Sequence, residues 1–118
     1  MAVRKKDVSF HPPECCDMRG MLSFHILWLL SKKSMHGQKI AEELGKRKGF
    51  KPSPGTIYPA LKELKRRGLI KGEKRNKVVV YTLTAKGKAG IEVACAYFCR
   101  CFGEIFREHR AFVSKRGI

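Results

Sequence analysis

The stretch Ser53-Pro54-Gly55-Thr56-Ile57-Tyr58-Pro59-Ala60-Leu61, continued by Lys62-Glu63-Leu64-Lys65-Arg66-Arg67-Gly68, decides the fold. Ile57, Leu61 and Leu64 recur at i, i+4 and i+7, so a helix between Ser53 and Gly68 turns those three inward. The same wheel puts Gly55, Pro59, Lys62 and Arg66 outward, with Tyr58 and Lys65 on the flank. One side packs and the other is basic. Pro59 leaves two starts open. Thr56 caps the helix and Pro59 falls in its first turn, or Ser53-Pro54 begins it and Pro59 bends it, an interior proline costing about 3 kcal/mol.

Downstream of Gly68 the period changes. Leu69-Ile70, a polar turn from Lys71 to Lys77 and the run Val78-Val79-Val80-Tyr81-Thr82-Leu83 predict a short β-hairpin. Upstream lie two more helices. Asp17 can cap the first, which runs to about Ser31 and is apolar on most sides, so it is buried on most sides. Ser34 or His36 opens the second, with Ile40, Ala41 and Leu44 on one face, Gln38, Lys39, Glu42, Glu43 and Lys46 on the other, and Gly49 as its stop. Three helices and a hairpin make a winged helix-turn-helix. Thr84 then caps a last helix in which Ile91, Cys95, Phe98, Phe102, Ile105, His109 and Phe112 follow the a/d rhythm of a coiled coil. The fold class is mainly α with a small β-hairpin: a basic arm over 1–16, a winged helix over 17–84 and a C-terminal dimerisation helix over 85–118.

Charge supports a polyanionic partner. The 118 residues carry a net charge of +16, and 43% are hydrophobic, enough for the core of one domain. The surplus is concentrated. Residues 32–77 hold 15 Lys and Arg against 4 Asp and Glu, a net of +11, whereas residues 78–118 hold 7 against 3, a net of +4. If about eight of these charges per protomer neutralised phosphates, a dimer would show a salt slope near −14, an upper bound because some face solvent. The longest apolar run, Met21 to Leu30, is about half of the ~20 residues a membrane span needs, and no signal-peptide cleavage site follows it. A cytoplasmic protein is expected, and the odd cysteine number fits a reducing compartment.

Lys62, Lys65 and Arg66 suit phosphates or, for Arg66, a guanine edge; Thr56 and Tyr58 suit phosphate or a thymine methyl. Gly55 and the backbone amides of the helix start admit a close phosphate. Arg75, Asn76 and Lys77 form the wing tip. At these residues the chain resembles the PadR family of transcriptional regulators. The match is carried by Leu27 to Leu30, by Met35-His36-Gly37-Gln38-Lys39-Ile40, by Ser53 to Leu61, and by Gly68-Leu69-Ile70 with Tyr81-Thr82-Leu83-Thr84. The resemblance implies a homodimer on double-stranded DNA with two operator half-sites. It gives DNA-facing roles to Gln38, Lys39, Ser53, Gly55, Thr56, Tyr58, Pro59 and Lys62, and dimerisation to the C-terminal helix. With Lys51, Lys65, Arg66, Arg75 and Lys77 these make the candidate DNA-binding set. The candidate dimer interface is Met21, Leu22, Ile91, Cys95, Phe98, Phe102, Ile105 and Phe112.

Blander readings compete at several positions. The basic residues of the third helix could form an ordinary solvated face, and Trp28 reads as core. Some family members bind flat aromatic effectors at the dimer interface, which leaves room for a small-molecule effector that no residue identifies. Cys95 and Cys99 share a helix face, Cys101 points elsewhere, and Cys15 and Cys16 are adjacent with His11 nearby. None has the paired spacing of a zinc site, so they read as small buried hydrophobes, with a dimer-assembled metal or redox sensor as the alternative and Cys16 reactive if the arm is exposed. No acid/base pair, phosphate loop or nucleophile motif supports catalysis, and no cofactor or metal is expected. A transcriptional regulator, most simply a repressor, is the leading reading; an architectural or RNA-binding protein is the other.

Overall fold

In the computed structural model, which describes residues 21–116, helix α1 (Leu22–Lys32) forms the centre of the core. Phe24, Ile26, Leu27, Leu29 and Leu30 are all buried there, as an almost wholly apolar helix requires. Its entry is Met21, in the left-handed region at φ 63°, and the expected cap Asp17 lies outside the described residues, as do the basic arm and Cys15 and Cys16. Two residues of strand, β1 (Met35–His36), lead directly into α2 (Gly37–Lys48). Of the two proposed openings for α2, His36 supplies the cap: its Nδ1 accepts the Lys39 N–H at 3.2 Å. Gly49, at φ 89°, closes the helix in a conformation that costs a residue with a Cβ.

Helix α3 (Pro54–Arg66) settles the proline question. Ser53 is the capping position, Pro54 takes the first helical place, and Pro59 lies inside the helix. The missing Pro59 N–H deprives the Gly55 carbonyl of its usual donor. At the far end Gly68 is left-handed at φ 77°, Gly68 N–H reaches the Lys65 carbonyl and Leu69 N–H the Leu64 carbonyl, each at 3.0 Å. That Schellman pattern ends the helix and turns the chain into the sheet.

The hairpin is longer than its composition suggests. Strands β2 (Ile70–Arg75) and β3 (Val78–Leu83) pair from Ile70↔Leu83 to Arg75↔Val78, leaving only Asn76 and Lys77 as the turn. Both have positive φ, 54° and 71°, the signature of a type I′ turn. The polar turn expected over Lys71–Lys77 is thus mostly strand. An edge strand open to solvent needs no apolar alternation, because its partner fixes it through backbone hydrogen bonds. β1 also joins β3, with Met35↔Tyr81 and His36↔Val80, completing a three-stranded antiparallel sheet in the order β1-β3-β2. Two residues carry no period, so sequence pattern could not announce that strand.

Helix α4 (Ala85–Arg116) begins where the hairpin ends. Thr84 Oγ1 accepts the Gly87 N–H at 3.0 Å and donates to the Gly68 carbonyl at 2.6 Å, as its capping role requires. Gly87 is buried, and a Cβ there would collide with the Leu69 carbonyl; only glycine lets this turn sit on the end of α3. Ile91 and Ala94 complete the core, and Phe98 stacks on Phe24 with ring centroids 5.3 Å apart. Beyond that point Phe102, Ile105 and Phe106 are exposed among the described residues.

Two core expectations need correction. Trp28 is only half-buried at the margin of the core, with Lys32 Nζ 4.4 Å and Arg47 Cζ 5.2 Å from its ring centroid. Its indole N–H and these cations favour a site that keeps one side open. The described cysteines are not buried hydrophobes either. Cys95, on the apolar stripe, is half-buried against the core, whereas Cys99 and Cys101 lie off that stripe and are exposed.

Candidate nucleic-acid interface

α3 presents its polar face whole. Ile57, Leu61 and Leu64 are buried, whereas Ser53, Gly55, Thr56, Tyr58, Pro59, Lys62, Lys65 and Arg66 are all exposed. At the helix start Ser53 Oγ and Thr56 Oγ1 lie 3.3 Å apart. The amides of Thr56 and Ile57 both turn back to the Ser53 carbonyl, at 2.9 and 3.0 Å. The expected row of open N–H groups therefore reduces to the amide of Gly55, since Pro54 has none. Little crowds it: a Cβ built on Gly55 would meet only Ser53 Oγ, at 3.8 Å. One amide at a positive helix end, beside two hydroxyls, can still hold a phosphate oxygen.

Tyr58 is positioned from below by a residue that sequence pattern did not single out for this role. A Cβ on Gly37 would lie 2.6 Å from the Tyr58 hydroxyl and 2.7 Å from its ring, so the ring occupies the space that glycine leaves at the start of α2. His36 and Gly37 were legible as a motif, but their contact with a residue on the next helix follows no local period. On the other side of Tyr58 stands Tyr81 of the wing. Burial first, and then the nearby Tyr58, hold the Tyr81 phenol above its usual range. A cleft of about 270 Å³ between α2, Tyr58 and the wing is lined by Gln38, Lys77 and Tyr81 among others.

The cations divide into two groups. Arg66 is held by Glu63 through bonds of 2.9 and 2.6 Å, which raise the guanidinium pKa and lower that of the carboxyl. Arg75 is paired with Glu73 at 2.9 Å, and Lys39 with Glu43 at 3.2 Å. Glu43 also binds Arg47 and Lys46, and these hydrogen bonds, Arg47 foremost, bring its pKa down to about 2. Lys51, Lys62, Lys65 and Lys77 are exposed and have no acidic partner among the described residues. Gln38 is exposed beside them. The partnerless lysines thus lie ahead of α3, along it and at the wing tip.

The proposed dimer stripe is split by depth. Ile91 is 4% exposed and belongs to the protomer's own core; Met21, Leu22, Cys95 and Phe98 are half-buried against it. Phe102 and Ile105 are 37% and 59% exposed. Phe112 falls in the last turns of α4, whose side chains lie outside the described set. Among the described residues, no three His, Cys, Asp or Glu side chains come together in a way that could hold a metal ion, and no helix is long and apolar enough to cross a membrane.

Residues 26–93 match the transcriptional regulator PadR-like family, more than half of the chain. The chain belongs to that family. A transcriptional regulator of Mycobacterium tuberculosis is 37% identical over 79 residues, covering 62% of this chain and 71% of its own. Among solved structures, a PadR family transcription regulator from Clostridium difficile is similar at 28% identity and a TM-score of 0.65, covering 76% of this chain and 98% of that one. A PadR-like transcriptional regulator from Bacillus cereus is similar at 25% identity and a TM-score of 0.63, covering 81% and 94%. The PadR-like chain is therefore of a regulator lineage, and its family and these relatives are transcriptional regulators, not enzymes. DNA-binding regulation is the activity that membership implies, and the winged helix of four helices and a three-stranded sheet is its fold.

Proposed function

We propose that this PadR-like regulator binds an operator of two half-sites as a homodimer and represses transcription by occluding a promoter. The observation that carries the reading is the exposed face of α3, where Lys62 and Lys65 have no acidic partner among the described residues and lie on the helix whose first turn holds the open Gly55 amide. In this reading α3 enters the major groove. Tyr58, Thr56 and Ser53 meet its edge, and Gln38, Lys39 and Lys51 reach the flanking phosphates. Pro59 packs flat against the DNA surface. Arg66 must exchange Glu63 for a base edge or phosphate, and Arg75 must do the same with Glu73, so Lys77 makes the first contact of the wing.

The winged helix over 17–84 is the reading unit and the helix from 85 the joining unit, with the basic arm 1–16 available for further phosphates. Phe102 and Ile105 are large apolar side chains left 37% and 59% exposed by the described residues, which supports a second copy packing on them. Cys95, Phe98, Met21 and Leu22 border that face, Phe112 extends it, and Ile91 backs it from the core. A small-molecule effector acting through the same seam and a cytoplasmic location complete the proposal. Footprinting on genomic fragments at about 150 mM salt tests it. A discrete, nearly palindromic protected site is expected; uniform protection would instead mark an architectural protein, and preference for RNA an RNA-binding one.

A further inference from the structure

A glycine inside a strand gives up side-chain packing and costs conformational entropy on folding, and β2 carries one at Gly72. It pairs with Tyr81 of β3, and Val79, two residues from Tyr81, points to the same face of the sheet. Both side chains lie over the glycine. A Cβ on Gly72 would stand 2.9 Å from Val79 Cγ1 and 3.3 Å from Tyr81 Cε1. The valine branch is stiff about χ1, so making room there moves the strand with it. Leu83, Tyr81 and Val79 form one row along β3, buried at Leu83 and 37% exposed at Val79, that runs from the core out along the wing.

The opposite wall of the cleft between α3 and the wing is built in the same way. Tyr58 fills the space left by Gly37 as Tyr81 covers Gly72, so each wall carries an aromatic ring over a glycine. Gln38, Tyr58, Lys77, Val79 and Tyr81 line the cleft, and none of the described residues that line it is acidic. On the operator reading, α3 occupies a major groove and Lys77 leads the wing toward the adjacent minor groove. The sugar-phosphate strand that divides those grooves must then pass between them. We propose, resting on that reading, that Gly72 is a positioning residue for the operator. By carrying no Cβ it lets Tyr81 and Val79 lie back on β2, which keeps the cleft open for that strand and Lys77 within reach of its phosphates. Any side chain at position 72 displaces two lining residues at once and turns the wing away.

The whole chain and its variants are titrated on the operator fragment by fluorescence anisotropy over a range of salt, with melting followed by circular dichroism. Gly72→Ala should make the slope of log K against log salt shallower by about two, because Lys77 of each protomer leaves its phosphate. Lys77→Ala should then bring no further loss in that background. Removing the obstructing branch, with Val79→Ala alongside Gly72→Ala, should restore the native slope. A Gly72→Ala chain that changes only in melting temperature, with affinity and slope intact, overturns the proposal, since the glycine would then serve the hairpin alone. Hydroxyl-radical footprinting of the native chain tests the same strand without any variant. The sugars between the two grooves should be protected at each half-site, and free cleavage there overturns the proposal even if Gly72→Ala does not fold. A native chain that protects no discrete site removes the operator reading as well, so the two failures are told apart.

Discussion

Gly37 has no side chain, and the ring of Tyr58 fills the space one would need. Gly37→Ala should therefore displace Tyr58 while leaving α2 intact, since alanine is the better helix former. Loss of one positioned contact, about 1–1.5 kcal/mol, predicts roughly tenfold weaker operator binding with an unchanged melting temperature. Unchanged affinity by fluorescence anisotropy would show that Tyr58 needs no such seat. His25 makes a different prediction at the same scale. Burial first, then Lys48 and Arg47, hold its folded pKa below the ordinary 6.5, so at pH values just under 6.5 the unfolded chain binds a proton that the folded one does not. Stability from His25 is complete above about pH 6.5 and falls as the pH drops toward the folded value. Melting curves across that window should slope for the native chain and flatten for His25→Asn; parallel slopes would acquit this residue. Exposed candidates such as Lys62 were legible from one helical wheel. The Gly37–Tyr58 contact and the His25 Nδ1, buried with no hydrogen-bond partner among the described residues, were not, because both arise only when separate helices pack.

The wing turn illustrates how an element can carry a local cost. Lys77 adopts φ 71°, a left-handed conformation that costs an L residue roughly 1 kcal/mol, where glycine would fit freely. Lys77→Gly should stabilise the hairpin by up to about 1 kcal/mol in chemical denaturation and yet weaken DNA binding, since it removes the partnerless tip charge. Stabilisation without loss of affinity would take the wing tip out of the interface. α4 divides the same way between fold and association. Ile91 and Phe98 are tied into the core through α1, so substituting them tests folding; Phe102 and Ile105 are the clean probes. Phe102→Glu with Ile105→Glu should yield folded monomers by analytical ultracentrifugation, and a persistent dimer would refute this interface. The stripe was legible from its 4,3 spacing, but spacing cannot tell a core face from an uncovered one. That distinction comes from where α1 stops covering α4. The short strand β1 and the strand nature of Lys71–Arg75 were hidden for a related reason: both are fixed by β3 through backbone bonds, which leave no mark on side-chain pattern.

Across the whole molecule, the net charge of +16 overstates the cations available to a polyanion. Arg66, Arg75 and Lys39 already face carboxylates, and releasing them returns part of the gain from each phosphate contact. Among the candidate DNA contacts that leaves Lys51, Lys62, Lys65 and Lys77 without an acidic partner among the described residues, four per protomer. Eight phosphates neutralised by a dimer predict a slope of about −7 for log K against log salt, half the bound suggested by composition. Lys62→Ala should make the slope shallower by nearly two, because the dimer loses two contacts, and should weaken all sequences alike. Glu63→Gln works in the opposite sense: it frees Arg66, so the slope steepens and non-specific binding strengthens. A slope near −14 in the native chain would mean that the paired arginines and the arm join the contact as well, and the internal carboxylates would then be displaced on binding rather than retained.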